Sequence, residues 1–128
     1  MTDEQMNDLM AYIISTYAAP YGILAAKASK RAALKLATAS ITETVTVSAP
    51  DAYMRAKTAL SHCGTILEED DTEKVLSGLI MSGSLNMNPS IVVIWVDGNC
   101  IHIKASAKEG LIKQHTAEKA IAIFKSAL

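Results

Sequence analysis

Between Ser90 and Ala107 two β-rich runs are joined by Asp97-Gly98-Asn99. An Asp-Gly or Gly-Asn pair supplies the positive φ of a tight primed turn, so the spacing predicts a β-hairpin. A hairpin fixes which side chains share a face. A loop of Asp97-Gly98 sets Val96 opposite Asn99 and Ile94 opposite Ile101, whereas a loop of Gly98-Asn99 sets Asp97 opposite Cys100 and Val96 opposite Ile101. Either register gives the same division. Val92, Ile94, Val96, Ile101, Ile103 and Ala105 form a core face. Ile91, Val93, Trp95, Cys100, His102, Lys104 and Ser106 form a second face, half apolar and in need of a partner.

The rest of the chain supplies cover for one face. ITETVTVSA from Ile41 alternates as a half-buried strand does, with Ile41, Val45 and Val47 on one side and Thr42, Thr44, Thr46 and Ser48 on the other. Pro50 suits the first turn of a helix, and Asp51 beside it sits near the positive end of the dipole. Ala52, Ala56, Ala59, Leu60 and Cys63 make that helix's inner stripe, with Gly64 as its stop. A short strand follows at Thr65 to Glu69, then an acidic turn at Asp70-Asp71-Thr72, a strand from Lys74 to Met81 and a loop from Ser82 to Ser90. After the hairpin, a last helix begins near Thr116 as N-cap, with Ala117, Ala120, Ile121, Phe124 and Leu128 as its apolar stripe.

The expected fold is therefore α+β, a five-stranded antiparallel sheet in the order β-α-β-β-β-β-α with two helices on one face. That order resembles one repeat of the saddle fold of the TATA-binding protein in topology alone, with no shared motif, and a likeness of fold carries no function. Residues 40–128 make up this sheet domain, and residues 1–39 form an N-terminal helical hairpin or arm. In the arm, Met6, Leu9, Met10, Ile13, Ile14 and Tyr17 recur as one helical stripe. Pro20 and Gly22 interrupt it before an Ala-rich helix from about Ile23 to Thr38.

A chain of 128 residues with 50% hydrophobic content supports one domain with a real core. A net charge of −1 points to no global polyanion partner. Two cysteines without CxxC spacing suit reduced thiols in a cytoplasm. Leu9 to Ala26 carries no charge, but Ser15, Thr16, Pro20 and Gly22 argue against a membrane span. The acidic start at Asp3, Glu4 and Asp8 argues against a secretory signal.

Candidate chemistry is sparse. His62-Cys63 with Cys100-x-His102 offers the donor types of a zinc site, yet Cys63 belongs to the helix-covered side and the other pair to the opposite face. Cys100 and His102 as a nucleophile and base stand about 6.5 to 7 Å apart along a strand, with no orienting third residue. The run from Glu68 to Glu73 could meet a divalent cation through oxygens, but it lacks the glycine and spaced ligands of an EF-hand. Phosphate-loop, dinucleotide, zinc-protease and nucleophile-elbow motifs are absent. No metal or cofactor is implied, and the expectation is that the protein is not an enzyme.

The leading expectation is a binding or assembly module. It self-associates or docks a protein partner through Ile91, Val93, Trp95, Cys100, His102 and Lys104 together with the N-terminal stripe. A small-ligand binder or enzyme, with its pocket between sheet and helices near loop 82–90, is the first alternative. Attachment to nucleic acid or an anionic membrane through Lys27, Lys30, Arg31 and Lys35, a basic arc at helical spacing, is the second.

Overall fold

The computed structural model describes residues 4, 5, 8, 37–48, 50–83, 88–109 and 115–128. Its elements run β1 (Ala37–Thr46), α1 (Ala52–Cys63), β2 (Thr65–Asp70), β3 (Val75–Ser82), β4 (Asn88–Asp97), β5 (Cys100–Glu109) and α2 (Thr116–Ala127). The five strands form a single antiparallel sheet in the spatial order β1-β5-β4-β3-β2. This is the expected β-α-β-β-β-β-α fold.

The hairpin takes the second of its two registers, with Asp97 opposite Cys100 and Val96 opposite Ile101. Gly98 has φ +60 while Asn99 stays out of the positive region. A positive φ at the first loop position alone fits the type II′ turn, which favours glycine there.

Alternation then sorts the side chains. Val92, Ile94, Ile101, Ile103 and Ala105 are buried together with Leu76 and Ile80 of β3, under the inner stripes of both helices. Phe124 and Ile121 of α2 and Leu60 of α1 are fully buried in this cluster. Cys63, Val96 and Leu128 pack against it at partial exposure. Each helix thus turns one apolar stripe to the sheet and its polar residues to water.

Local chemistry sets the helix ends. The Asp51 side chain accepts a hydrogen bond from the Met54 backbone N–H at 3.1 Å, capping α1. Gly64 ends α1 in an extended conformation, φ −162, rather than the left-handed one usual for a glycine stop. Its value there is closeness, since a Cβ would collide with the Leu79 carbonyl oxygen. α2 starts one residue earlier than expected: His115 is the N-cap, in the left-handed region, and Thr116 is the first helical residue.

Two boundaries and one register differ from the sequence reading. β1 begins at Ala37, so Ala37 and Thr38 pair with Glu109 and Lys108 as strand rather than closing a helix. The long partner strand supplies those hydrogen bonds, and tertiary pairing outweighs alanine's helical preference. β4 begins at Asn88, with Pro89 opposite Met81 inside the ladder near the strand's start, where proline is tolerated. β2 carries a bulge between Ile66 and Glu68 that leaves Leu67 without a cross-strand partner.

Glu4, Gln5 and Asp8 are helical. The stripe Met6, Leu9, Met10, Ile13, Ile14 and Tyr17, the basic arc Lys27, Lys30, Arg31 and Lys35, and the uncharged stretch 9–26 lie outside the described residues. Among the described residues no helix is long and apolar enough to cross a membrane.

Candidate functional site on the second sheet face

The ladder registers assemble the second face as three rows running across the sheet from β1 to β2. The first is Thr44, His102, Trp95, Val75 and Asp70; the second is Thr42, Lys104, Val93, Ser77 and Glu68; the third is Ser40, Ser106, Ile91, Leu79 and Thr65. The strand-borne residues expected on this face lie on it, Cys100 beyond the first row between Thr46 and Asp97, and Ile101 lies on the other side.

The first row is open. Trp95 is 36% exposed, and its ring stacks on His102 with centroids 5.3 Å apart and planes inclined by 16°. On its other side His102 is held by Thr44, whose Oγ1 lies 2.8 Å from Nδ1. A ring nitrogen anchored to a hydroxyl and a face covered by indole leave the imidazole oriented rather than free to rotate. Thr46 Oγ1 lies 3.8 Å from Cys100 Sγ, and the same thiol lies 3.9 Å from Asn99 Oδ1.

The third row is closed at its centre, while Ser40 and Thr65 at its two ends are exposed. Ile91 and Ser106 have no exposure, yet Ile91 stands outside the cluster beneath the helices. Ser40 and Ser106 share a hydrogen bond of 2.7 Å between hydroxyls. Further along the same side of β5, burial pushes the Lys108 ammonium below its usual range. One side of one sheet is thus wet at the hairpin end and dry around Ile91 and Ser106 farther along β4 and β5.

Between these rows and the β2 edge lies a hollow of about 730 Å³. Its lining is Val75, Ser77 and Val93 with four carboxylates of the 68–73 run. Neither Cys100 nor His102 lines it, and it sits on the second face rather than between sheet and helices near loop 82–90. A smaller hollow of about 350 Å³ lies where the start of α1 meets the end of α2, bordered by Met54, Arg55 and Leu128.

The acidic run divides its labour. Tyr53 donates a hydrogen bond of 2.6 Å to Asp71 Oδ1, and Lys57 bridges Asp71 and Glu69. Burial, and then the bond to Asp71, pushes the Tyr53 phenol up to about 12. The same bond and Lys57 hold the Asp71 carboxyl below its ordinary range. These contacts fasten α1 to the β2–β3 turn. Asp70 Oδ1 accepts from the backbone N–H groups of Thr72 and Glu73 and shapes that turn.

The thiols part company. Cys63 packs against the helix-side core, and burial pushes its thiol up, away from the thiolate that metal binding or nucleophilic attack requires. Cys100 and His102 lie on the opposite face. Among the described residues no group of three His, Cys, Asp or Glu side chains is placed to hold a metal ion. Sequence reasoning overlooked Ser77, whose importance depends on the β2 bulge, and Thr44 as the anchor of His102.

No protein-family model matches this chain, and no curated protein matches it.

Proposed function

We propose that this chain is a non-enzymatic binding and assembly module that self-associates through the open part of its second sheet face, with its N-terminal residues contributing. The observation that carries this reading is the exposed Trp95 stacked on an anchored His102, on the side of the sheet opposite the two helices. Aromatic side chains that are rigid and half wet are the anchors that protein interfaces favour. The flanking threonines and Lys104 fit the polar surround of such a patch.

Trp95→Asp tests it. The variant is expected to keep its fold, because Trp95 is not part of the helix-side core, and to lose assembly in light scattering at micromolar concentration. A wild-type chain that scatters as a monomer while Trp95, its only tryptophan, fluoresces as a water-exposed indole would end this reading. Capture of a different protein with the chain itself monomeric would replace self-association by partner docking.

A further inference from the structure

The hollow over β2, β3 and β4 has a chemistry of its own, independent of self-association. Its walls carry Glu68 and Glu73, which have no ion-pair partner among the described residues, while Glu69 is committed to Lys57 and Asp70 to the turn. Its floor is aliphatic, from Val75 and Val93. Ser77 also lines it, only 5% exposed, and its hydroxyl has no hydrogen-bond partner among the described residues. A buried hydroxyl without a partner carries a desolvation penalty that a ligand N–H would relieve. The bulge in β2 makes the arrangement, because skipping Leu67 puts Glu68 directly opposite Ser77.

We infer that this hollow binds an alkylammonium group. The carboxylates of Glu68 and Glu73 would meet its charge, Ser77 Oγ would accept one of its N–H bonds, and Val75 and Val93 would carry its methylene stem. Three observations favour an organic cation over a metal ion. The volume is that of a small-molecule site rather than a single ion. The aliphatic floor offers no donors, and no three ligating groups converge among the described residues. A methylene chain with a charged head suits such a surface, apolar along the stem and anionic at the tip.

The test is a titration of the isotopically labelled full chain with 1,5-diaminopentane, with a short lysine-containing peptide acetylated at its N-terminus, and with calcium or magnesium ion alone, read at the Val75, Ser77 and Val93 amides. Amine is expected to shift these resonances. Glu68→Gln with Glu73→Gln should weaken binding about tenfold, as the loss of two partly screened ion pairs implies. Ser77→Ala should weaken it several-fold without lowering thermal stability, since no existing hydrogen bond is lost. Glu43→Gln, on the other side of the sheet, should leave binding unchanged. Tighter binding of the diamine would identify a free polyamine as the source of the group, and tighter binding of the peptide a lysine of a partner protein; both support the site. The inference is overturned if millimolar amine leaves these amides still, if the double variant binds as the wild type does, or if the divalent ion shifts them and amine does not.

Discussion

The two sides of this sheet are built from the same five strands, yet they are held by different forces. Beneath the helices, contact is mainly among aliphatic side chains, Phe124 and Tyr53, with Ser90 buried and donating to the Thr116 carbonyl, and with Glu43 reaching Lys125 at 3.4 Å at the margin. On the opposite side, neighbouring strands are joined through side-chain pairs, Ser40 with Ser106, Thr44 with His102 and His102 with Trp95. Burial of apolar area secures the first side, whereas cross-strand pairing worth a fraction of a kcal/mol per pair secures the second. The open row of that side, held by small increments, can be exposed or shared at little cost to the fold, and that is where the proposed assembly contact would fit.

The contrast can be broken from the helix side first. Phe124→Ala removes a fully buried ring from between α2 and the sheet, and is expected to cost roughly 3–5 kcal/mol in urea unfolding. A loss near 1 kcal/mol would mean that this side is no better packed than the other. Ile91→Ala sharpens the comparison, because this residue shares a face with Trp95 but not its exposure. Its expected cost is roughly 2–5 kcal/mol. A cost comparable to that of an exposed substitution would place the closed row among the weakly held ones.

The smallest effect lies at the clamp between α1 and the β2–β3 turn. Tyr53→Phe loses one hydrogen bond to Asp71 and is expected to cost about 1 kcal/mol at neutral pH. Its pH dependence is more telling. The unfolded chain releases the Tyr53 proton near 10.0 and the folded chain at about 12, so the stabilisation is whole below the lower value and disappears as pH climbs through that interval. Asp71 behaves in the opposite sense: its lowered carboxyl contributes above 3.8 and the contribution fades as pH falls through its folded value. Stability curves for Tyr53→Phe should therefore be flatter than wild type at both extremes. An alkaline limb as steep as wild type would assign the loss to other groups.

Much of this fold is legible in the chain because alternation and helical stripes each report one buried face. The hairpin faces, the inner stripe of α1 and that of α2 follow from period alone. Its turn had two readings, since Asp97-Gly98 and Gly98-Asn99 both suit tight loops, and the register had to decide between them. Pro89 reads as loop because proline seldom enters a ladder, although it stands in β4 near the strand's start. The candidate site was half visible. Trp95 and His102 are neighbours by parity, but the hollow depends on a bulge at Leu67 that shifts the phase of β2, and no residue pattern announces a change of phase.

One feature of connectivity governs how the chain reaches this form. Among the described residues β1 pairs only with β5, and the Ser40–Ser106 contact joins positions 66 residues apart. β1, the first of the described strands in the chain, gains its β5 neighbour only once the hairpin far downstream exists. Closing so long a loop is an entropic cost met late, while the β4–β5 turn forms locally and fast. Assembly of the sheet should thus proceed from its C-terminal half outward, with β1 the last to join.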